Sequence, residues 1–246
     1  ADGVVACDET PVRCLDRSAP GGSRQGYFWV YRGLTGDVIF DWQTSREHRH
    51  FAEWMGDDYE GTLLCDAYQA YINYCELQSR RGRKVRRAAC LAHIRRKFEA
   101  AIEERPGVVA WILKQIRTLY RIERELNEHG ASAEVRARVR QNRSGPIIRL
   151  LEKAFLHLSA TAIRPRSRLG KALRYVLGQR EAMKTYLDDG RVAIDNNHTE
   201  RDIRPGVVGR KNWLFIGHPE AGDRAAALYS LLNSARNHGV DPQAYL

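Results

Sequence analysis

Several features that would place the chain in other protein classes are missing from its sequence. No apolar run approaches the ~20 residues that a membrane-spanning helix needs. Asp2, Asp8 and Glu9 interrupt the first apolar stretch, so we expect no signal peptide. The five cysteines are an odd number without close pairing, which argues against a disulfide framework. These absences predict a reduced, cytoplasmic protein that makes no contact with a membrane.

Acidic residues are outnumbered: 30 Asp and Glu stand against 40 Lys and Arg, giving a net charge of +10. A protein that neutralises phosphates releases their counterions, so this excess indicates a polyanionic partner. The alternative is a solvated basic surface without a partner, but the clustering of the cations favours nucleic acid. Clusters that predict contact with DNA phosphates are Arg80, Arg81, Arg83, Lys84, Arg86 and Arg87, then Arg95, Arg96 and Lys97. Further clusters are Arg136, Arg138, Arg140 and Arg143, and Arg164, Arg166 and Arg168.

The order of apolar patterns predicts strands in the first part of the chain and helices in the middle. Predicted strands cover residues 4–7, 26–32, 38–42, 62–65 and 85–90. Predicted helices include 91–104, ended by Pro106, one that Ser167 caps, and a short polar helix over 195–204, ended before Pro205. A final helix is predicted over 223–237, with Leu228 and Leu231 among the residues that face inward. We therefore expect an α/β or α+β sheet with a helical insertion.

Two aspartates follow predicted strands directly, Asp8 after the first and Asp66 after the fourth. Carboxylates at strand ends are a common way to build a site at the rim of a sheet, although Asp also caps turns. Glu9 competes with Asp8, because neighbouring strand residues face opposite sides and only one can enter a shared site. The spacing alone leaves both possibilities open.

A third carboxylate stands in the polar stretch from Asp195 to Arg201. Asn196 and Asn197 precede Glu200 by four and three residues and share its helical face, while Asp195 is predicted to cap the helix. Three carboxylates without a thiolate cluster favour a hard cation, Mg²⁺ or Mn²⁺, and two such ions can promote phosphoryl transfer. Basic residues that follow are hypothesised to bind phosphates beside the scissile bond: Arg201, Arg204, Arg210 and Lys211.

Several motifs together resemble the insertion-sequence sixty-six transposases of bacteria. The resemblance covers nearly the whole chain, in order. The motifs are Asp8-Glu9-Thr10-Pro11-Val12, residues 26–31 (GYFWVY), residues 66–71 (DAYQAY), residues 90–98 (CLAHIRRKF), residues 195–201 with 210–215, and residues 239–246. Leu91 departs from the Trp usual in that family.

The resemblance implies a DDE transposase (transposase C) with an RNase H-like, retroviral integrase-like fold. Its three acidic positions match Asp8, Asp66 and Glu200, which demotes Glu9. It also implies a core in two parts, residues 1–104 and 166–246, with a helical insertion over 105–165 between the last strand and the helix bearing Glu200. Members usually carry an N-terminal region for specific DNA binding and self-association. We therefore expect a catalytic-core fragment of a homo-oligomeric protein.

The predicted activity is metal-dependent cleavage of double-stranded DNA at transposon ends, followed by joining of the freed 3′-OH to target DNA. An RNase H-like nuclease that only hydrolyses, and a non-catalytic DNA-binding remnant, are the alternatives; a glycosidase has no support from the Arg clusters. Cys90 and His93 form an incomplete zinc ligand set and are expected to support the site, to meet DNA, or simply to be buried. Trp213 and Phe215 are expected in the core.

Overall fold

The computed structural model describes residues 3–245, which form two compact units. The first unit contains the chain up to Leu63, Tyr68–Val85 and the chain from Asn196 onward. The second contains Leu64–Ala67 and Arg86–Asp195. Among the described residues, no helix combines the length and the apolar character needed to cross a lipid bilayer.

Three strands come first, and helices and strands then alternate up to residue 99. The rest of the chain is almost entirely helical. The strands are β1 (Val4–Leu15), β2 (Ser23–Arg32), β3 (Val38–Gln43), β4 (Gly61–Cys65), β5 (Val85–Ala89) and β6 (Phe215–Ile216). The helices are α1 (His48–Met55), α2 (Gln69–Arg80), α3 (Leu91–Glu99), α4 (Pro106–Glu128), α5 (Ala133–Val139), α6 (Gly145–Ser159), α7 (Arg168–Gly178), α8 (Thr185–Asp188), α9 (Asn197–Trp213), α10 (Pro219–Asn237) and α11 (Pro242–Tyr245). A 3₁₀ turn precedes β2 and a π-helical turn precedes α6.

The strands form a mixed sheet in the order β3-β2-β1-β4-β5, and the short β6 pairs in parallel with the last part of β1. β1, β2 and β3 are antiparallel neighbours. An α/β fold with a helix-flanked sheet is therefore confirmed. The helical segment lies between β5 and α9. It was predicted to follow the last strand, and this detail is wrong because one more strand, β6, comes after α9.

In the first unit, one face of the sheet packs against α9 and α10. The core there contains Phe28, Val30 and Phe40 from β2 and β3, with Ile203 from α9 and Ala226 from α10. Tyr229 of α10 also packs against this cluster, with its ring centroid 5.7 Å from that of Phe28. The apolar side of the β2–β3 hairpin therefore holds α9 and α10 in place.

The second unit is organised around a buried ion pair. The Arg140 side chain is 1% exposed and donates to both carboxylate oxygens of Glu123, at 2.8 and 2.7 Å. It also donates to the carbonyl oxygens of Tyr186, Asp189 and Val192, at 2.9–3.0 Å. Arg140 was predicted to belong to an exposed basic cluster, and that prediction is wrong because these five bonds hold it inside the unit.

A close backbone contact in the second unit gives a stability prediction. A Cβ added at Gly190 would overlap the carbonyl of Ala133, which is backbone and cannot rotate away, whereas a Cβ at Gly107 in α4 meets open space. We expect Gly190→Ala to lower the free energy of unfolding by about 1–3 kcal/mol. Gly107→Ala should leave it unchanged or raise it by up to about 1 kcal/mol. Urea unfolding of the two variants checks this; equal midpoints would contradict it.

Several predicted boundaries are wrong for identifiable reasons. β1 continues through Asp8 to Leu15, because buried Val12 and Cys14 keep its second half paired in the sheet. α9 continues through Pro205 to Trp213, and the helix predicted over 91–104 ends at Glu99. Pro106 begins α4, where a missing N–H costs nothing, instead of only ending α3.

The C-terminal region also departs from its predicted packing. The final long helix starts at Pro219, earlier than predicted, and Leu228 and Leu231 are 48% and 45% exposed although both were expected to face inward. Phe215 is 41% exposed, so its assignment to the core is wrong, while Trp213 is partly buried against the sheet core. Apolar residues in this region were assigned to the core by spacing alone, and that spacing does not show which helical face has a partner.

Candidate active site

Asp8 lies in the middle of β1, on the face of the sheet that α9 covers. It pairs with Val30 of β2, and paired residues of antiparallel strands project to the same face. Val30 and Val12, which is four residues after Asp8 and so on the same face, both belong to the core cluster that includes Ile203 of α9. The Asp8 side chain is half-buried, and its Oδ1 accepts a hydrogen bond from the Glu9 backbone N–H at 2.9 Å.

Glu9 projects to the opposite face and has structural partners there. Its carboxylate, 5% exposed, accepts hydrogen bonds from the Arg46 guanidinium and from the Tyr71 hydroxyl. Burial, and then the nearby Glu9 charge, hold the pKa of Tyr71 well above its ordinary value, so the phenol remains a donor. These bonds give Glu9 a role in joining β1 to α2, on the side of the sheet away from α9.

The start of α9 is fixed to the residue that precedes Asp8. The buried Asn196 side chain donates from Nδ2 to the Cys7 carbonyl oxygen at 2.8 Å. Asn196 is the N-cap residue of α9, and half-buried Glu200 lies in the first turn of that helix. Because adjacent residues of one strand are 3.8 Å apart at Cα, the helix bearing Glu200 begins beside Asp8. Asn197 is half-buried in the same turn.

A second buried contact holds α9 in place. Asp202, 3% exposed, accepts hydrogen bonds from the Arg32 guanidinium at the end of β2 and from Asn237 Nδ2 at 3.2 Å. These bonds tie the turn after Glu200 to β2 and to α10. The sequence pattern did not single out Asp202, since its partners are far away in the chain; the only available signal was a second acidic residue beside Glu200.

Asp66 belongs to the second unit, directly after β4, where it is half-buried. Its carbonyl oxygen accepts a bond from Arg87 Nη1 at 3.3 Å, and Arg87 also donates to Gln179 Oε1. Burial, followed by the Asp66 charge, raises the pKa of Tyr175. The preceding residue, Cys65, accepts a backbone bond from Cys90 at 3.2 Å, so Asp66 follows β4 at the edge of the sheet where α3 begins.

Cys90 and His93 lie at the start of α3. Cys90 is buried and is the N-cap residue, while His93 is half-buried with its Nε2 3.5 Å from Arg96 Nη1.

Asp195 was predicted to cap α9, but that prediction is wrong: Asn196 occupies the cap, and buried Asp195 accepts a bond from the Tyr120 hydroxyl at 2.7 Å. Burial, and then the Asp195 charge, raise the pKa of Tyr120.

The cations of the Arg80–Arg87 stretch mostly have carboxylate or amide partners. Arg80, at the end of α2, pairs with Glu76 at 3.8 Å. Arg81 pairs with Asp57, Arg83 with Asp58 at 2.7 Å, and Arg86 with Asp188 at 3.6 Å, while Arg87 donates to the side chain of Gln179. Lys84 is exposed. The stretch runs from the end of α2 into a strand, because Arg86 and Arg87 lie in β5. On α3, Arg95 pairs with Glu99 at 3.3 Å, Lys97 lies 4.5 Å from the Tyr175 ring centroid, and Arg96 is exposed.

A basic pocket of about 540 Å³ adjoins α9 in the first unit. It is lined by Arg32, Arg201, Arg204, His198 and Arg236, with the buried Asp202 at its base. Arg201 and Arg204 are exposed on the helix that carries Glu200. Further along α9, Lys211 is exposed, and Arg210 donates to the Pro11 carbonyl, which links the helix to β1.

Comparison with known families identifies the chain. The family model described as Transposase IS66 family matches residues 1–224. The chain belongs to this family. The match includes β1 to β6, α1 to α9 and the positions of Asp8, Asp66 and Glu200, so the resemblance seen in the sequence motifs is confirmed.

Curated relatives of this family member come from Sinorhizobium fredii (strain NBRC 101917 / NGR234). The chain is 36% identical to "Uncharacterized protein y4jD" over 257 aligned positions and 31% identical to "Uncharacterized protein y4qI" over 259. Each match covers 98% of this chain but 48% and 46% of the relative. The chain therefore spans about half the length of the curated relatives it matches.

Proposed function

We propose that the chain is the catalytic domain of a DDE transposase, which cleaves double-stranded DNA at transposon ends and joins the 3′-OH to target DNA. Membership of the Transposase IS66 family supports a DNA-acting enzyme. The observation that carries the catalytic assignment is that Asp8 lies on the α9 face of the sheet and Asn196 fixes the start of α9 beside it. Glu200 is one turn into that helix, whereas Glu9 is bound on the other face.

The proposed architecture is RNase H-like. Three antiparallel strands are followed by β4, with acidic residues in β1, directly after β4 and on a late helix. That order of strands and carboxylates agrees with the topology implied by the sequence resemblance. In this proposal residues 1–104 and 166–246 build the core, and 105–165 are the helical insertion.

Mg²⁺ or Mn²⁺ fits the proposed ligands, Asp8, Asp66 and Glu200. Carboxylate oxygens are the ligands that hard divalent cations prefer. Two such ions would activate the attacking hydroxyl and stabilise the leaving oxygen. Asn196 ties the first turn of α9, which includes Asn197, to β1. The backbone bond from Cys90 to Cys65 places the start of α3, which carries His93, beside the end of β4, directly before Asp66.

The chain's own residues would orient the DNA. Arg201, Arg204 and Lys211 carry exposed charge on one side of α9 and would bind phosphates on either side of the cut. Arg210, which donates to the Pro11 carbonyl, would contribute its charge from the β1 side of the helix. Fixed cations near the scissile phosphate also stabilise the charge that develops in the transition state. The same proposal takes double-stranded DNA as the partner and a homo-oligomer as the assembly of the full-length protein. It also places the protein in the cytoplasm, with the cell's DNA.

Strand joining distinguishes this activity from that of a nuclease. A duplex ending in the element's own terminal sequence, already cut to leave a free 3′-OH, is incubated with the full-length protein, Mn²⁺ and a target plasmid. We expect the labelled end to become covalently joined to the plasmid. A matched duplex that lacks the 3′-hydroxyl should give no joined product. Hydrolysis of DNA without joining would favour the nuclease, and neither product would favour a non-catalytic DNA-binding remnant.

A further inference from the structure

Four cations on α4 form a continuous stripe that the sequence clusters do not reveal. Lys114, Arg117, Arg121 and Arg124 are all exposed, and their spacings of three, four and three residues place them within about 80° of one another around the helix axis. The opposite face of α4 is buried through Val109, Ile112, Ile116, Leu119 and Leu126. The stripe is therefore fixed on a helix that the core of the second unit holds in place.

The stripe differs from the Arg80–Arg87 stretch in its partners. Within residues 3–245, none of the four α4 cations forms an ion pair with a carboxylate; Arg121 donates only to the Thr118 hydroxyl, at 3.3 Å. Of the three glutamates on this helix, Glu123 pairs with Arg140 and Glu125 with Arg143, while Glu128 lies one turn beyond Arg124 and, within the described part of the chain, forms no ion pair with the stripe. Like charges at these helical spacings repel, so the four cations carry an excess of positive charge on this face of the helix.

The surface around the stripe is a groove of about 750 Å³. It is lined by the four α4 cations, by Tyr120, and by Arg95 and Glu99 of α3, which pair with each other at 3.3 Å. The Arg95 guanidinium carbon lies 5.5 Å from the Tyr120 ring centroid, so the wall of the groove on the α3 side is also cationic. Beyond Glu99, no acidic residue lines this groove among the described residues.

We propose that this groove binds the phosphate backbone of double-stranded DNA. The stripe runs from Lys114 to Arg124, ten helical rises or about 15 Å along the helix. Over that length of its axis, B-form DNA carries about nine phosphate charges on its two strands, more than enough for one at each cation. The proposal rests on the proposed function only in taking DNA as the polyanion. Because phosphate contacts fix position without reading bases, the bound DNA is held regardless of sequence.

The test measures binding of a random-sequence duplex over a range of salt concentrations, without divalent metal. Changing Lys114, Arg117, Arg121 and Arg124 to Gln should weaken binding at least tenfold and reduce the slope of log affinity against log salt by about 3–4, since each phosphate contact contributes about 0.9. The combined Arg117→Lys, Arg121→Lys and Arg124→Lys variant should bind like the wild type, because the charges are kept. If the four-residue variant unfolds, the double changes at 114/117 and at 121/124 replace it, and each should reduce the slope by about 2.

A matched control removes the same charge from cations that have partners. Arg24, Arg49, Arg180 and Lys184 are each paired with a carboxylate, and changing all four to Gln should reduce the salt slope much less. Equal losses in the two variants would overturn the stripe proposal and leave general charge attraction. Absence of duplex binding by the wild-type protein would overturn both the stripe and the DNA partner. Failure of the catalytic proposal would leave this measurement unchanged, because no metal or chemistry is involved.

Discussion

Replacing Asp8 by Asn, or Asp66 by Asn, will abolish DNA strand cleavage and strand joining while duplex binding persists. Asn keeps the size of the side chain but supplies a neutral ligand, so metal affinity and charge stabilisation in the transition state both fall. We expect a loss of at least about a thousandfold in rate, which corresponds to about 4 kcal/mol. Glu200→Gln should have the same effect. Rates of end cleavage and of joining in Mn²⁺ are the measurements.

Glu9→Gln is the matched control for these variants, because Glu9 is the neighbour of Asp8 on β1 and projects to the other face. The amide oxygen can still accept from Arg46, and the amide NH2 can donate to the Tyr71 hydroxyl oxygen instead of accepting from it. The fold should therefore be kept, and the rate should fall by less than about tenfold. The account is contradicted by an active Asp8→Asn protein, or by a Glu9→Gln protein that folds and is inactive.

Arg140→Met will strongly destabilise the second unit. The change leaves the buried Glu123 carboxylate with only Arg136, at 3.8 Å, as a counter-charge, and the carbonyls of Tyr186, Asp189 and Val192 lose their donor. Removing one partner of a buried ion pair costs about 3–5 kcal/mol, and we expect a loss of that size. Chemical denaturation, followed by a probe in the helical unit, gives the free energy of unfolding.

Two further variants separate charge burial from loss of packing. Arg140→Met combined with Glu123→Leu should recover much of the stability, because no unpaired charge remains inside the unit. Arg143→Met breaks only the exposed pair with Glu125 and should cost less than about 1 kcal/mol. If the single and double changes at 140 and 123 were equally destabilising, the carbonyl bonds of Arg140 would be the dominant contribution instead of the ion pair.

Local patterns predicted the sheet well. The β2–β3 hairpin follows from aromatic and β-branched residues on either side of a turn, and β4 ends directly before Asp66, as its short apolar run indicated. Ser167 accepts a bond from the Gly170 N–H and caps α7, which its position before an apolar stripe predicted. In each case the determining contacts lie within a few residues in the chain.

Contacts between distant residues account for what the sequence could not predict. Cys14 and Val12 extend β1 beyond its acidic residues because β2 pairs with them. Pro205 is accommodated in α9 because Asp202 and Ile203 hold the helix before it and Val207 packs against the core after it. The choice between Asp8 and Glu9 was likewise open in the sequence. It depends on which face α9 covers, and residues almost two hundred positions apart determine that.

Mn²⁺ bound to the protein, located by anomalous X-ray scattering in crystals, tests the central claim most directly. The account predicts two manganese peaks about 3.5–4 Å apart, with carboxylate oxygens of Asp8, Asp66 and Glu200 among their ligands. Peaks whose ligands exclude Glu200 or either aspartate would contradict the proposed catalytic site.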